Sequence, residues 1–168
     1  MNVRVREGRV SSCYVVDPYF PAIATIGRDR DYVRFVGLYH GDDLVELQVD
    51  PETSRVAQVT VVGCHKFDVR HGCLDVPDAT EGIVAVGPPG HQDCDDLFLD
   101  VYDDGIAIRL GGELVSEYAR SGNVVFGVSM DGMLVEVLLS HMTPEEVTHA
   151  RRCLLEDQEQ GVWMPSGS

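Results

Sequence analysis

The chain has 168 residues, 44% hydrophobic and 24% charged, values that suit one globular domain and exclude global disorder. Twenty-eight acidic residues face thirteen basic ones, a net charge of −15, so neither nucleic acid nor an anionic membrane is expected as a partner. No run of about 18 apolar residues occurs, which excludes a membrane-spanning helix.

At the N-terminus, MNVRVREGRVSS alternates Val with charge and has no apolar core, so no signal peptide is expected. An odd number of cysteines, five, then reads as reduced thiols and a cytoplasmic location. From residue 3 onward, short apolar runs alternate with turn signals until about residue 140, the pattern of an antiparallel β body. In RFVGLYHGDDLVELQV (34–49), Gly41-Asp42 suits a two-residue hairpin turn that sets Leu38 against Val45, Val36 against Leu47 and Gly37 against Glu46. Asp50-Pro51 starts a type I turn, and VAQVTVVGC (56–64) supplies a third strand.

The stretch GCHKFDVRHGC (63–73) concentrates soft ligands. Read as a strand over 65–71, it places Phe67, Val69 and His71 on one face and Lys66, Asp68 and Arg70 on the other. Cys64 and Cys73 would then point to opposite faces unless Gly72 bends the chain. With His71, His91 and Cys94 they make candidate metal ligands, although no CxxC knuckle is present. Lys66, the only lysine, is the only candidate amine nucleophile. GPPG (87–90) reads as a rigid turn without a following helix, unsuited to cradling phosphate on a helix terminus.

In HQDCDDLFLDVYDDG (91–105) the alternation sends Leu97, Leu99 and Val101 inward. Phe98, Asp100 and Tyr102 point outward, with Asp100 and its acidic neighbours on a solvated face or at the strand's ends. Asp93, Asp95, Asp96, Phe98, Asp100, Tyr102, Asp103 and Asp104 together form a candidate acidic patch with aromatic neighbours. Leu97 and Phe98 break the EF-hand frame that Asp93 and Asp95 begin. A hairpin about Asp104-Gly105 follows, with Ile106, Ile108 and Leu110 on one face.

VVFGVSMDGMLVEVLL (124–139) predicts another hairpin. With Asp131-Gly132 in a type I′ turn, Val124 faces Leu139, Phe126 faces Val137, Gly127 faces Glu136 and Val128 faces Val135. LVEL (44–47) and LVEV (134–137) share an offset of ninety residues, a likeness that hairpin grammar alone can produce.

The one expected helix starts at TPEE. Thr143 is the N-cap, Pro144 occupies N1, Glu146 closes a capping box, and Met142 with Val147 forms a hydrophobic staple. Val147, Ala150 and Leu154 make its apolar stripe, and the acidic end at 156–159 opposes the dipole and should fray. Residues 161–168, with the only Trp at 163, read as a tail behind a single domain of residues 1–160.

The sequence therefore predicts an α+β protein, mainly antiparallel sheet in a sandwich, barrel or strongly curled form, with one C-terminal helix. No GxSxG, Walker A, GxGxxG or HExxH pattern occurs, which lowers the expectation of an enzyme. The expected role is a non-enzymatic acidic protein that neutralises a basic protein partner without a cofactor, of the immunity or antitoxin type. The rivals are a metal-binding protein or metal-dependent enzyme built on residues 64–94, and a ligand-binding barrel or assembly subunit.

Overall fold

The structure is a computed structural model that describes residues 1–27, 33–87 and 91–161. In chain order the first strands are β1 (Val3–Arg6), β2 (Ser12–Asp17), β3 (Phe20–Ile26), β4 (Arg34–His40), β5 (Asp43–Val49) and β6 (Val56–Gly63). Then come β7 (Phe67–Val69), β8 (Thr80–Glu81), β9 (Ile83–Val86), β10 (His91–Asp93), β11 (Phe98–Val101) and β12 (Ile106–Arg109). β13 (Glu117–Ser121), β14 (Val124–Val128) and β15 (Leu134–Leu139) precede the helix α1 (Pro144–Gly161).

Two sheets carry the fold. One has the order β10-β4-β5-β6-β3-β2 and the other β7-β11-β12-β15-β14-β13-β8. Both are antiparallel inside, with parallel pairs at β10–β4, β7–β11 and β8–β13, all at sheet edges. β1 and β9 form a separate antiparallel pair. The fold class is α+β, mainly antiparallel, with one C-terminal helix.

Period-two alternation explains the core. Val36, Leu38, Val45, Leu47, Val59 and Val61 of the first sheet, and Leu99, Val101, Ile106, Ile108, Phe126 and Val137 of the second, are all fully buried in one cluster. Two sheets whose inner faces merge into one core make a sandwich. Val147, Ala150 and Leu154 of α1 join the same cluster. The helix also reaches both sheets: His149 Nε2 donates to Phe20 O (3.0 Å) and Arg151 Nη2 to Tyr102 O (3.2 Å).

The helix start is built as its sequence predicts. Thr143 N donates to Glu146 Oε2 (2.7 Å), and Glu146 N donates to Thr143 Oγ1 (3.3 Å). Met142 and Val147 are both buried in the core cluster. α1 runs on past its acidic residues to Gly161, and Gln158 Nε2 donates to His65 O (2.8 Å) near that end. The Trp163 tail and Pro88–Gly90 lie outside the described residues.

The hairpin over 34–49 has the expected register throughout. Its Gly41 has φ 62° and Asp42 does not share the positive φ, as a type II′ turn requires. The hairpin over 124–139 keeps the expected pairs as far as Gly127 opposite Glu136 and then departs. A register shift sets Val128 against Leu134 instead of Val135. The cause lies in the turn. Gly132 N donates to Ser129 O and Ser129 N to Met133 O (both 2.9 Å), and only Gly132 takes positive φ, 78°. This is a three-residue loop with an αL glycine, which adds one residue to the second strand. The likeness between the two hairpins therefore ends at their turns.

The strand expected over 65–71 shrinks to Phe67–Val69, an edge strand beside β11. Phe67 packs on the core, but Val69 is 45% exposed and His71 is exposed, so the expected apolar face ends at its first residue. Beyond it, residues 72–79 cross the outer face of the seven-stranded sheet, where Leu74 forms a second cluster with Ala107, Val125 and Leu138.

Candidate functional site

The acidic stretch of 91–105 is divided between internal bonding and solvent. Asp96 accepts Lys66 Nζ (2.9 Å) and its neighbour Leu97 N (3.0 Å), and the Lys66 contact holds its carboxyl below the ordinary range. Asp103 accepts Gly72 N (2.8 Å) and Arg151 Nη2 (3.0 Å), and these lower its carboxyl in that order of importance. Asp104 accepts Leu74 N (2.7 Å), which ties the start of the 72–79 crossing to the β11–β12 loop. Phe98 and Tyr102 are half-buried, Tyr102 against the second cluster.

Asp100 corrects the sequence reading most sharply. Its alternation does send it to the outer face, but it is only 1% exposed rather than solvated. The reason is lateral: β7 extends the sheet beyond β11, and arginines from both flanks close over the carboxylate. Arg70 Nε donates to Oδ1 (2.7 Å), while Arg109 Nη1 lies 2.9 Å from Oδ2 without the alignment of a hydrogen bond. The pairing continues across the sheet. Asp68 sits 3.2 Å from Arg70, Arg109 Nε is 3.7 Å from Glu136 Oε1, and Tyr118 OH donates to Glu136 Oε2 (3.0 Å). This ladder of alternating charge is a structural device, because its carboxylates already have cations.

Among the described residues, the candidate cysteines and histidines do not converge. Cys64 is fully buried, its S–H pointing at Lys66 O (3.2 Å), and burial, then Asp43, pushes its thiol up to about 12. Burial likewise pushes Cys94 up to about 11. His71 and Cys73 are exposed, and Asp104 raises the Cys73 thiol. The backbone of His91 pairs with Gly37 at the edge of the other sheet. Among the described residues no group of three or more His, Cys, Asp or Glu is arranged to hold a metal.

One dyad was missed by sequence reasoning. Asp43, 4% exposed, accepts both His65 N (2.8 Å) and His65 Nδ1 (2.6 Å). His65 lines an open pocket of about 500 Å³ with Tyr39, Leu44, Val62 and Asp157. A carboxylate-oriented imidazole can accept a proton at its other nitrogen. Burial of the adjacent Cys64 disfavours its thiolate, the nucleophilic form.

What remains for a partner lies at the loop end of the seven-stranded sheet. Leu110 N donates to Val135 O (3.0 Å) and Ser116 N to Val128 O (2.8 Å), fastening the 110–116 loop to the β14–β15 hairpin. A Cβ on Gly112 would meet Asp95 Oδ2 at 3.0 Å, so the 93–96 segment lies against the same loop. On this end stand Leu114 and Met130, each 90% exposed, the most exposed large apolar side chains among the described residues. Around them Asp93, Asp95, Glu113 and Asp131 are exposed, with no hydrogen bond or ion pair from their side chains among the described residues. Only Asp93 and Asp95 belonged to the patch expected from sequence. The signal for the others was an apolar residue inside a turn, Leu114 after Gly111-Gly112 and Met130 before Asp131-Gly132.

No protein-family model matches this chain, and no curated protein is significantly similar to it.

Proposed function

We propose that this chain is a non-enzymatic binding protein that receives a basic protein partner on the loop end of its seven-stranded sheet. The observation that carries the reading is the placement of Leu114 and Met130, 90% exposed, among four carboxylates that no cation among the described residues neutralises. Apolar side chains that gain nothing from the fold can gain from an interface, where flexible Met and Leu fill pockets and the surrounding acids select a cationic surface. Hydrogen bonds at both ends of the 110–116 loop and within the 129–133 turn lower the entropy cost of docking. Size, net charge −15 and this surface suit an inhibitor of the immunity or antitoxin type, which offers carboxylates where a cationic enzyme binds phosphates.

The test is capture of partners from the native lysate at low and high salt, comparing the parent chain with Leu114→Asp/Met130→Asp. A basic protein should bind the parent, release steeply with salt through a slower on-rate, and bind the variant at least about tenfold more weakly. Retention of no basic protein at low salt, or equal retention by the variant, sinks the proposal.

A further inference from the structure

Lys66, Arg70, Arg109 and Arg151 each meet a carboxylate. Arg4, Arg6 and Arg55 do not: among the described residues none has an ion-pair partner, in a chain with 28 acids and 13 bases. The exposed neighbours Glu7, Glu52 and Glu81 all stay outside ion-pairing reach of them. Arg9, Arg34, Arg120 and Arg152 likewise lack an ion pair among the described residues, but Arg4, Arg6 and Arg55 are the three that strand register gathers on one face.

Register brings them together. β1 pairs with β9 so that Arg4 stands opposite Ala85 and Arg6 opposite Ile83. At the other edge of β9, Arg55 bridges to the same Ala85. Side chains directly opposite one another in an antiparallel pair share a face. All three arginines therefore rise on the face of Ile83 and Ala85, away from Val84 and Val86, which enter the core.

The position is braced. Asp50 Oδ1 accepts Glu52 N and Thr53 N (both 2.9 Å), Asp50 N donates to Arg55 O (2.9 Å), and Val86 N donates to Ser54 O (2.9 Å). The Arg55 guanidinium lies directly over Gly27, where a Cβ would overlap Nη2. Arg6, Thr53, Arg55, Ile83 and Ala85 line a pocket of about 140 Å³.

We propose that this pocket binds a phosphate group. Two forked guanidiniums and a Thr hydroxyl match the geometry and charge of a phosphate dianion, and the Ile83–Ala85 wall can take the carbon stem of a monoester. The net charge of the chain does not forbid it. Acids beyond the Debye length of about 8 Å at physiological ionic strength are largely screened, so the groups in contact decide.

The test is titration of the ¹⁵N-labelled full chain with inorganic phosphate and, separately, with glycerol phosphate, against chloride at matched ionic strength. The amides of Thr53, Arg55 and Ala85 report. Saturable shifts are expected at these amides, about tenfold weaker in either Arg6→Ala or Arg55→Ala and partly weakened in Arg55→Lys, which keeps charge but loses the fork. Arg6 is exposed and Arg55 partly so, and unchanged spectra elsewhere verify the fold of each variant. Equal affinity in the two arms identifies the free ion as ligand, and tighter binding of the ester identifies an organic phosphate. Absence of saturable shifts in both arms, equal shifts with chloride, or undiminished binding in both alanine variants overturns the proposal.

Discussion

Substituting the carboxylate of the Asp100 cluster and substituting its cations should cost different amounts, because burial is one-sided. Asp100 is 1% exposed, while Arg70 and Arg109 are 48% and 51% exposed. In Asp100→Asn the guanidiniums lose their partner but turn toward water, and the neutral amide remains able to hydrogen-bond. The loss is about 1–2 kcal/mol. In Arg70→Ala/Arg109→Ala the carboxylate stays enclosed without a cation, and the cost rises toward the roughly 3–5 kcal/mol of an uncompensated buried charge. Arg70→Ala should exceed Arg109→Ala, since only Arg70 gives an aligned 2.7 Å hydrogen bond. Adding Asp100→Asn to the double arginine variant should restore about 2 kcal/mol, because the residue left behind no longer carries charge. Urea unfolding at neutral pH, with unchanged m values, measures each step. If Asp100→Asn alone costs as much as the arginine pair, or the three changes simply add, burial of the carboxylate does not govern this cluster.

Other expectations follow from single contacts. Thr143→Ala removes the acceptor for Glu146 N and should destabilise by about 1 kcal/mol in thermal or urea unfolding, with no change in the sheet spectrum. The thiols of Cys64 and Cys94, raised from 9.0 to about 12 and about 11, stay neutral in the fold where the unfolded chain ionises. Their contribution is therefore fully present below pH 9 and is lost as pH rises through the folded values, by at most about 1.4 kcal/mol per pH unit for each thiol. Tyr14, half-buried with its hydroxyl donating to Ser140 O (2.5 Å), acts in the same direction at higher pH. Urea unfolding under reducing conditions from pH 8 to 11 should show this decline, and it should be shallower in Cys64→Ala; equal slopes in both chains refute the assignment. Leu114→Asp and Met130→Asp should each change stability by less than about 0.5 kcal/mol, since these side chains pack on little within the chain. A larger loss in unfolding experiments would mean that they serve the fold rather than a partner.

Local chemistry in the sequence determined the elements. Gly41-Asp42 sets its hairpin register, Thr143 with Glu146 starts the helix, and alternation through Leu97–Val101 and Ile106–Leu110 selects the residues that enter the main core. Each of these depends on neighbours a few positions away, which is why they are legible in one dimension. The exact turn at 129–133 was not, because type I′ and three-residue loops both accept Asp-Gly, and hydrogen bonds at Ser129 decide between them.

Only the tertiary structure decided which charges are free. Asp100 looks like Asp95 along the chain, yet strands brought from residues 70 and 109 bury the first, while the second faces water. Arg55 likewise shares a face with Arg4 and Arg6 only because β9 lies between them. A carboxylate's availability depends on which distant cations the sheet order sets beside it, and that order is fixed by packing of the whole core rather than by residues near it in sequence.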